Sequence, residues 1–160
     1  MPVIDAQKDA DALTLTFVAE FDAGVERVWQ VWEDPRQLER WWGPPGWPAT
    51  FTKHEFVVGG ICRYHMTGPD GTKAPGWWTF TAIEAPHRLE FDDGFADRNG
   101  EPSNAIPPTH AVVTLEAVGD RTRMTSVSTF ASLESLEQMA ALGMVEGMTM
   151  ALGQIDEVLR

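Results

Sequence analysis

Two hydrophobic periods divide this chain, a strand-like alternation through most of its length and a helical one at its end. Leu13, Leu15, Phe17 and Ala19 alternate with Thr14, Thr16, Val18 and Glu20, the period of a half-buried strand. Asp22 is then placed to cap a short helix from about Ala23, in which Val25, Val28, Trp29 and Trp32 share a face. Asp34-Pro35 opens another, because proline suits the first helical position, where an amide proton is not needed. Leu38, Trp41 and Trp42 follow at helical spacing until Gly43-Pro44-Pro45-Gly46 ends the run. From Thr50 to Phe130 the pattern predicts strands over about 50–57, 60–67, 77–85, 88–95, 110–118 and 122–130. Turn chemistry separates them at Gly59-Gly60, Gly68-Pro69-Asp70-Gly71, Ala85-Pro86-His87 and Gly119-Asp120. Strands this close in sequence join most simply as an antiparallel meander. The exception is Asp92 to Thr109, read as a long connection with the length of a lid or flap. Residues 1 to 12 read as a loose lead-in.

The last stretch, Ser132 to Arg160, reads as one helix. Leu133, Leu136, Ala140, Gly143, Met144, Gly147, Met148, Ala151, Ile155, Val158 and Leu159 form its apolar stripe, with Glu134, Glu146 and Asp156 off it. Ser132 is the predicted N-cap, and Glu134 and Glu137 sit where the helix dipole favours negative charge. Such a helix is about 40 Å long and needs a sheet to lie on. Small residues occupy the middle of the stripe, although each glycine costs a helix interior about 1 kcal/mol relative to alanine. Either the helix approaches the sheet closely there, or small side chains leave room for a ligand. Met139, Met144, Met148 and Met150 flank that strip and can repack around varied shapes.

A length of 160 residues suits a single domain with a substantial core, over about 13–159. The aromatic content, seven Trp and eight Phe beside one Tyr, is apolar in kind and suits core or pocket walls. With 12 Lys and Arg against 24 Asp and Glu, the net charge of −12 repels a polyanion, which argues against nucleic acid as a partner. Cys62 has no second cysteine to pair with, and no stretch has the length of a signal peptide core or a membrane span. These features predict a cytoplasmic protein with no membrane partner.

The order β-α-α-β₆-α and its motifs resemble the SRPBCC (Bet v1-like, START-like) superfamily, and within it the branch named after the activator of Hsp90 ATPase. The motifs are Val28-Trp29, Asp34-Pro35, Arg40-Trp41-Trp42-Gly43-Pro44-Pro45-Gly46, Gly59-Gly60, Gly68-Pro69-Asp70-Gly71 and Gly143-Met144-Val145-Glu146-Gly147. The resemblance implies an α+β helix-grip fold, a curved antiparallel sheet of about seven strands wrapped around a long C-terminal helix with a cavity between them. Gly24 stands where that branch commonly has proline, and Cys62 where it commonly has an aromatic residue, a change that would enlarge a cavity.

Strand parity assigns the concave face. It turns Cys62, Tyr64 and Met66 inward and Arg63 and His65 outward, and likewise selects Trp78, Phe80, Leu89, Phe91, Val113 and Leu115, with Met124 and Phe130. The expected pocket residues are therefore Trp42, Cys62, Tyr64, Met66, Trp78, Phe80, Phe91, Phe95 and Val113 from the sheet side. Met139, Gly143, Met144 and Gly147 are expected from the helix. The wall is apolar, with Tyr64 and the indole groups as polar handles. No catalytic motif, phosphate loop, dinucleotide fingerprint or metal-ligand set is present, so no catalytic residue, cofactor or metal is predicted. Cys62 and His65 point to opposite faces, His54 and Glu55 diverge, and His87 and His110 read as solvated residues at strand starts.

The leading reading is a binding protein for a small hydrophobic molecule. The resemblance leaves two others open: a module engaging a chaperone of the Hsp90 type or another protein, and an enzyme of cyclase, dehydratase or hydrolase type in the same pocket. It also makes a homodimer plausible. A buried ionisable group beside the cavity would favour chemistry.

Overall fold

A computed structural model describes residues 3–103 and 106–160. Eight strands form one antiparallel sheet: β1 (Val3–Asp9), β2 (Thr14–Phe21), β3 (Ala49–His54), β4 (Ile61–Thr67), β5 (Lys73–Glu84), β6 (Arg88–Phe95), β7 (Thr109–Val118) and β8 (Arg121–Thr129). They lie in the order β1-β2-β8-β7-β6-β5-β4-β3, so the predicted meander runs from β3 to β8 and closes on β2. Two helices, α1 (Val25–Glu33) and α2 (Pro35–Leu38), carry the chain from β2 to β3 at the far edge. The sheet and the C-terminal helices make the helix-grip arrangement, with eight strands rather than about seven.

The additional strand comes from the lead-in. From Val3 onward this segment pairs with β2 rather than running loose; Met1 and Pro2 lie outside the described residues. As an edge strand exposed along most of its length, β1 carries little apolar alternation and is held by main-chain pairing. Strand parity elsewhere holds: Leu15, Phe17, Cys62, Tyr64, Trp78, Phe80, Leu89, Phe91, Val113, Leu115, Met124 and Phe130 are all buried.

Capping follows local chemistry. The Asp34 carboxylate accepts from the Arg36 amide at 2.9 Å, with Pro35 at the first helical position. Asp22 does not cap α1. That helix begins at Val25, and Gly24 holds the cap position without a side-chain hydrogen bond.

The C-terminal stretch is three helices rather than one: α3 (Leu133–Ala141), α4 (Met144–Gly153) and α5 (Ile155–Leu159). Ser132 caps α3, its hydroxyl accepting from the Ser135 amide at 3.1 Å. The first break falls at Gly143, whose φ of 87° is left-handed and ends a right-handed helix. At the second, the Gln154 side chain donates to the carbonyls of Trp41 and Gly43 at 3.2 and 2.7 Å, tying the helical layer to the segment before β3. Leu133, at the start of α3, is exposed although the single-helix stripe included it.

The connection predicted from Asp92 to Thr109 is shorter. β6 continues to Phe95, and a bridge pairs Ala96 with Pro102. Between them, Asp97 accepts from the amides of Asn99 and Glu101 at 2.8 and 3.1 Å. Arg63, on the outer face of β4, anchors this turn through the Gly100 carbonyl at 2.9 Å and Glu101 at 3.0 Å. Asn104 and Ala105, within the predicted connection, lie outside the described residues.

Candidate functional site

Aromatic side chains from α1 and from the turn after α2 fill one part of the space between sheet and helices. Trp32 is buried at 4.7 Å from the Trp41 ring, 6.1 Å from Trp78 and 6.0 Å from Phe91, and its indole N–H donates to the Met124 sulfur at 3.4 Å. Trp78 stacks on Phe91 at 4.2 Å. Cys62, Trp78, Phe80, Phe91 and Val113 therefore sit in packed core and do not line the cavity described next, although each points inward. Burial pushes the Cys62 thiol up to about 12, an unreactive state. His65 lies on the other face of β4.

Elsewhere a cavity of about 330 Å³ remains between the sheet and the α3–α4 break. Trp42, Tyr64, Met66 and Phe95 border it from the sheet side, and Met139, Gly143, Met144 and Gly147 from the helices. The void persists because the helical wall carries small residues where it faces inward. A Cβ placed on Gly147 would meet no atom within 4 Å. Gly143 serves twice, since its left-handed backbone also turns the chain between the two methionine-bearing helices. Glu146 and Met150 are exposed and take no part in the lining.

Several residues of this wall were not expected from the sequence, among them Pro44, Pro107, Thr109 and Leu142, and the one that carries a charge is Asp93. The Tyr64 hydroxyl donates to Asp93 Oδ1 across a long 3.4 Å. Asp93 is half-buried by accessible surface because it borders the cavity, yet protein surrounds it closely. This burial, only partly offset by donors on Tyr64 and Trp78, raises its carboxyl to about 7. Burial also holds the Tyr64 hydroxyl well above its ordinary value, with the Asp93 charge adding to the effect. The indole N–H groups of Trp42 and Trp78 make no hydrogen bond of good geometry, but both lie close enough to favour a negative charge on this pair. The signal for Asp93 was parity itself. Leu89 and Phe91 point inward, so Asp93 must follow, but Asp92 also opens the predicted connection to Thr109.

The histidines stand apart from the cavity lining. His54 is half-buried with Nε2 at 3.3 Å from the Trp32 carbonyl, and burial lowers its pKa. His87 occupies the turn before β6, its Nδ1 at 3.3 Å from the Leu115 carbonyl. His110 stands at the start of β7 with its side chain partly exposed. Its ring nitrogens lie 2.8 Å from Asp92 and 3.1 Å from Glu90, and these carboxylates raise its pKa. Among the described residues no group of three His, Cys, Asp or Glu side chains is arranged to hold a metal ion, and no helix is long and apolar enough to cross a membrane.

Solved structures of similar chains have the same architecture. A solution NMR structure of a protein from Arthrobacter aurescens is 63% identical with a TM-score of 0.95, over 98% of this chain and 91% of that one. A crystal structure of a Mycobacterium smegmatis protein is 47% identical with a TM-score of 0.92, over 99% and 98%. A Silicibacter pomeroyi protein described as AHSA1 shares the fold at 20% identity and a TM-score of 0.74, over 91% and 96%. No functionally curated protein matches the sequence significantly. The family model for activator of Hsp90 ATPase homolog 1-like proteins matches residues 22–160, and the chain belongs to that family, an AHSA1-like branch of the SRPBCC fold.

Proposed function

We propose that this protein encloses a small hydrophobic molecule between its sheet and its C-terminal helices. One observation carries the reading: a void of about 330 Å³ bordered mainly by Trp42, Met66, Phe95, Met139, Met144 and Met148. That volume lies within the range of small-molecule sites, which are characteristically apolar with a few placed polar groups. Methionine side chains give the wall the adaptability that a ligand of irregular shape requires.

Native mass spectrometry of gently purified protein, set against the denatured mass, tests it. A non-covalent adduct lost on denaturation is expected, and the same spectrum reads a second subunit or an attached chaperone. Gly147→Leu should fill the cavity while improving helix propensity, so it should abolish adduct and hydrophobic-probe binding without loss of stability. A bare wild-type protein that also binds no hydrophobic probe overturns the reading.

An enzyme using the same pocket is favoured by one observation, a carboxyl raised to about 7 beside the cavity at Asp93. A group titrating near neutrality can act as general acid or base. The test is incubation of the ligand so identified with wild-type and Asp93→Asn protein. A product formed only by the wild type supports chemistry, and unchanged ligand with both excludes it.

A further inference from the structure

Asp93 is the only charged side chain on the cavity wall among the described residues, and it has no cationic partner there. Its Oδ1 accepts from Tyr64, while no hydrogen bond reaches Oδ2 among the described residues. A carboxylate so placed is served by donors but not neutralised, and leaving a charge uncompensated in protein surroundings is costly.

We propose that the molecule held in this cavity is a lipophilic amine, with its protonated nitrogen on Asp93 and its apolar body against the methionines of α3 and α4. The inference rests on the cavity being a binding site and adds the chemical class of its occupant. An ammonium supplies the missing positive charge and a donor for the free oxygen, a charge-assisted contact stronger than a neutral one. The rings of Trp42, Tyr64 and Phe95 border the same void, and aromatic rings attract a cation. A net charge of −12 adds a field that attracts cations and repels carboxylates. A fatty acid would set a second carboxylate against Asp93, and an alcohol would leave the charge unmatched.

The groups around Asp93 leave it to titrate without a competing cation. Tyr64 comes from β4, Trp78 from β5, Trp42 from the segment before β3, Pro107 from the β6–β7 connection, and Met139, Met144 and Met148 from the helices. No lysine, arginine or histidine lines the cavity among the described residues. The neighbouring Asp92 pairs with His110 on the opposite face. Amine affinity should therefore rise as the pH passes upward through the Asp93 titration, over a range in which an alkylamine, like lysine, stays charged.

Binding of octylamine, octan-1-ol and octanoic acid, measured calorimetrically at pH 5.5 and 8.5, tests the proposal. Wild-type protein at pH 8.5 should bind octylamine at least about tenfold tighter than octan-1-ol, the scale of a hydrogen bond to a charged group. That preference should shrink at pH 5.5 and in Asp93→Asn. Equal affinity of wild-type protein for the amine and the alcohol, or tighter binding of the acid, overturns the amine while leaving the cavity as a binding site. Octylamine binding that survives both Asp93→Asn and Gly147→Leu belongs to the acidic surface and likewise overturns it. If none of the three binds, the cavity reading falls with it.

Discussion

A Cβ on Gly76 would stand 2.5 Å from both Cζ and the hydroxyl oxygen of Tyr64. Tyr64 is on β4 and Asp93 on β6, and Gly76 pairs with Tyr64 on one side and Phe95 on the other, so the tyrosine reaches Asp93 across a position that only hydrogen leaves open. The ring has little room to retreat, stacked 4.9 Å from Phe51 and edge-on to Trp42 at 6.1 Å. Gly76→Ala should therefore destabilise the protein by about 1–3 kcal/mol, as overpacking does, in urea unfolding. Most of that loss should disappear in a Tyr64→Ala background, because the two residues share one space. A full loss in both backgrounds would show that the strain lies elsewhere.

The raised carboxyl of Asp93 makes stability depend on pH in a direction opposite to that of a paired carboxylate. The folded state keeps the Asp93 proton up to about 7, whereas the unfolded chain releases it near the ordinary value of 3.8. Between those values the native state binds more protons, so stability falls as the pH rises, then stays lowered above the folded value. Each tenfold difference in proton affinity between the two states is worth about 1.4 kcal/mol, which makes the penalty on the order of a few kcal/mol. Asp93→Asn should accordingly raise the melting temperature at pH 8.5 and change it little at pH 4. An equal effect at both pH values would mean that the carboxyl is not held near neutrality.

How far the cavity could be read from the sequence differed between strands and helices. A strand's period of two survives small boundary errors, so Tyr64, Met66 and the buried aromatics faced inward as expected. The same rule reached Asp93, but the predicted strand and the predicted connection overlap there, and pairing with β5 and β7 decides for the strand. The helical period, by contrast, runs undisturbed through Gly143, since an amphipathic count carries no information on backbone handedness. Parity could not show that Trp32 from α1 would pack against Trp41, Trp78 and Phe91 and close part of the space between sheet and helices. It separates inside from outside, not packed core from cavity.

Cys62 offers a probe of that packed core. Its thiol is buried and pushed up to about 12, so very little thiolate exists at pH 8. The native protein should resist iodoacetamide, and modification should follow unfolding when urea is added. Complete labelling of folded protein within minutes, read by mass, would place the thiol at an accessible site instead.

Gly143 and Gly147 lie four residues apart in the wall of the cavity, and their backbones call for opposite responses to alanine. Gly143 has a φ of 87°, which an L side chain adopts only under strain, while Gly147 lies inside α4 with open space at its Cβ position. Alanine should cost about 1 kcal/mol or more at the first position, where the native conformation excludes it. At the second it should stabilise by nearly 1 kcal/mol, through helix propensity and a less flexible unfolded chain. Urea unfolding of the two single variants reads both signs in one experiment. Stabilisation by both would mean that α3 and α4 form one continuous helix, and the cavity would then lose the turn that separates Met139 from Met144.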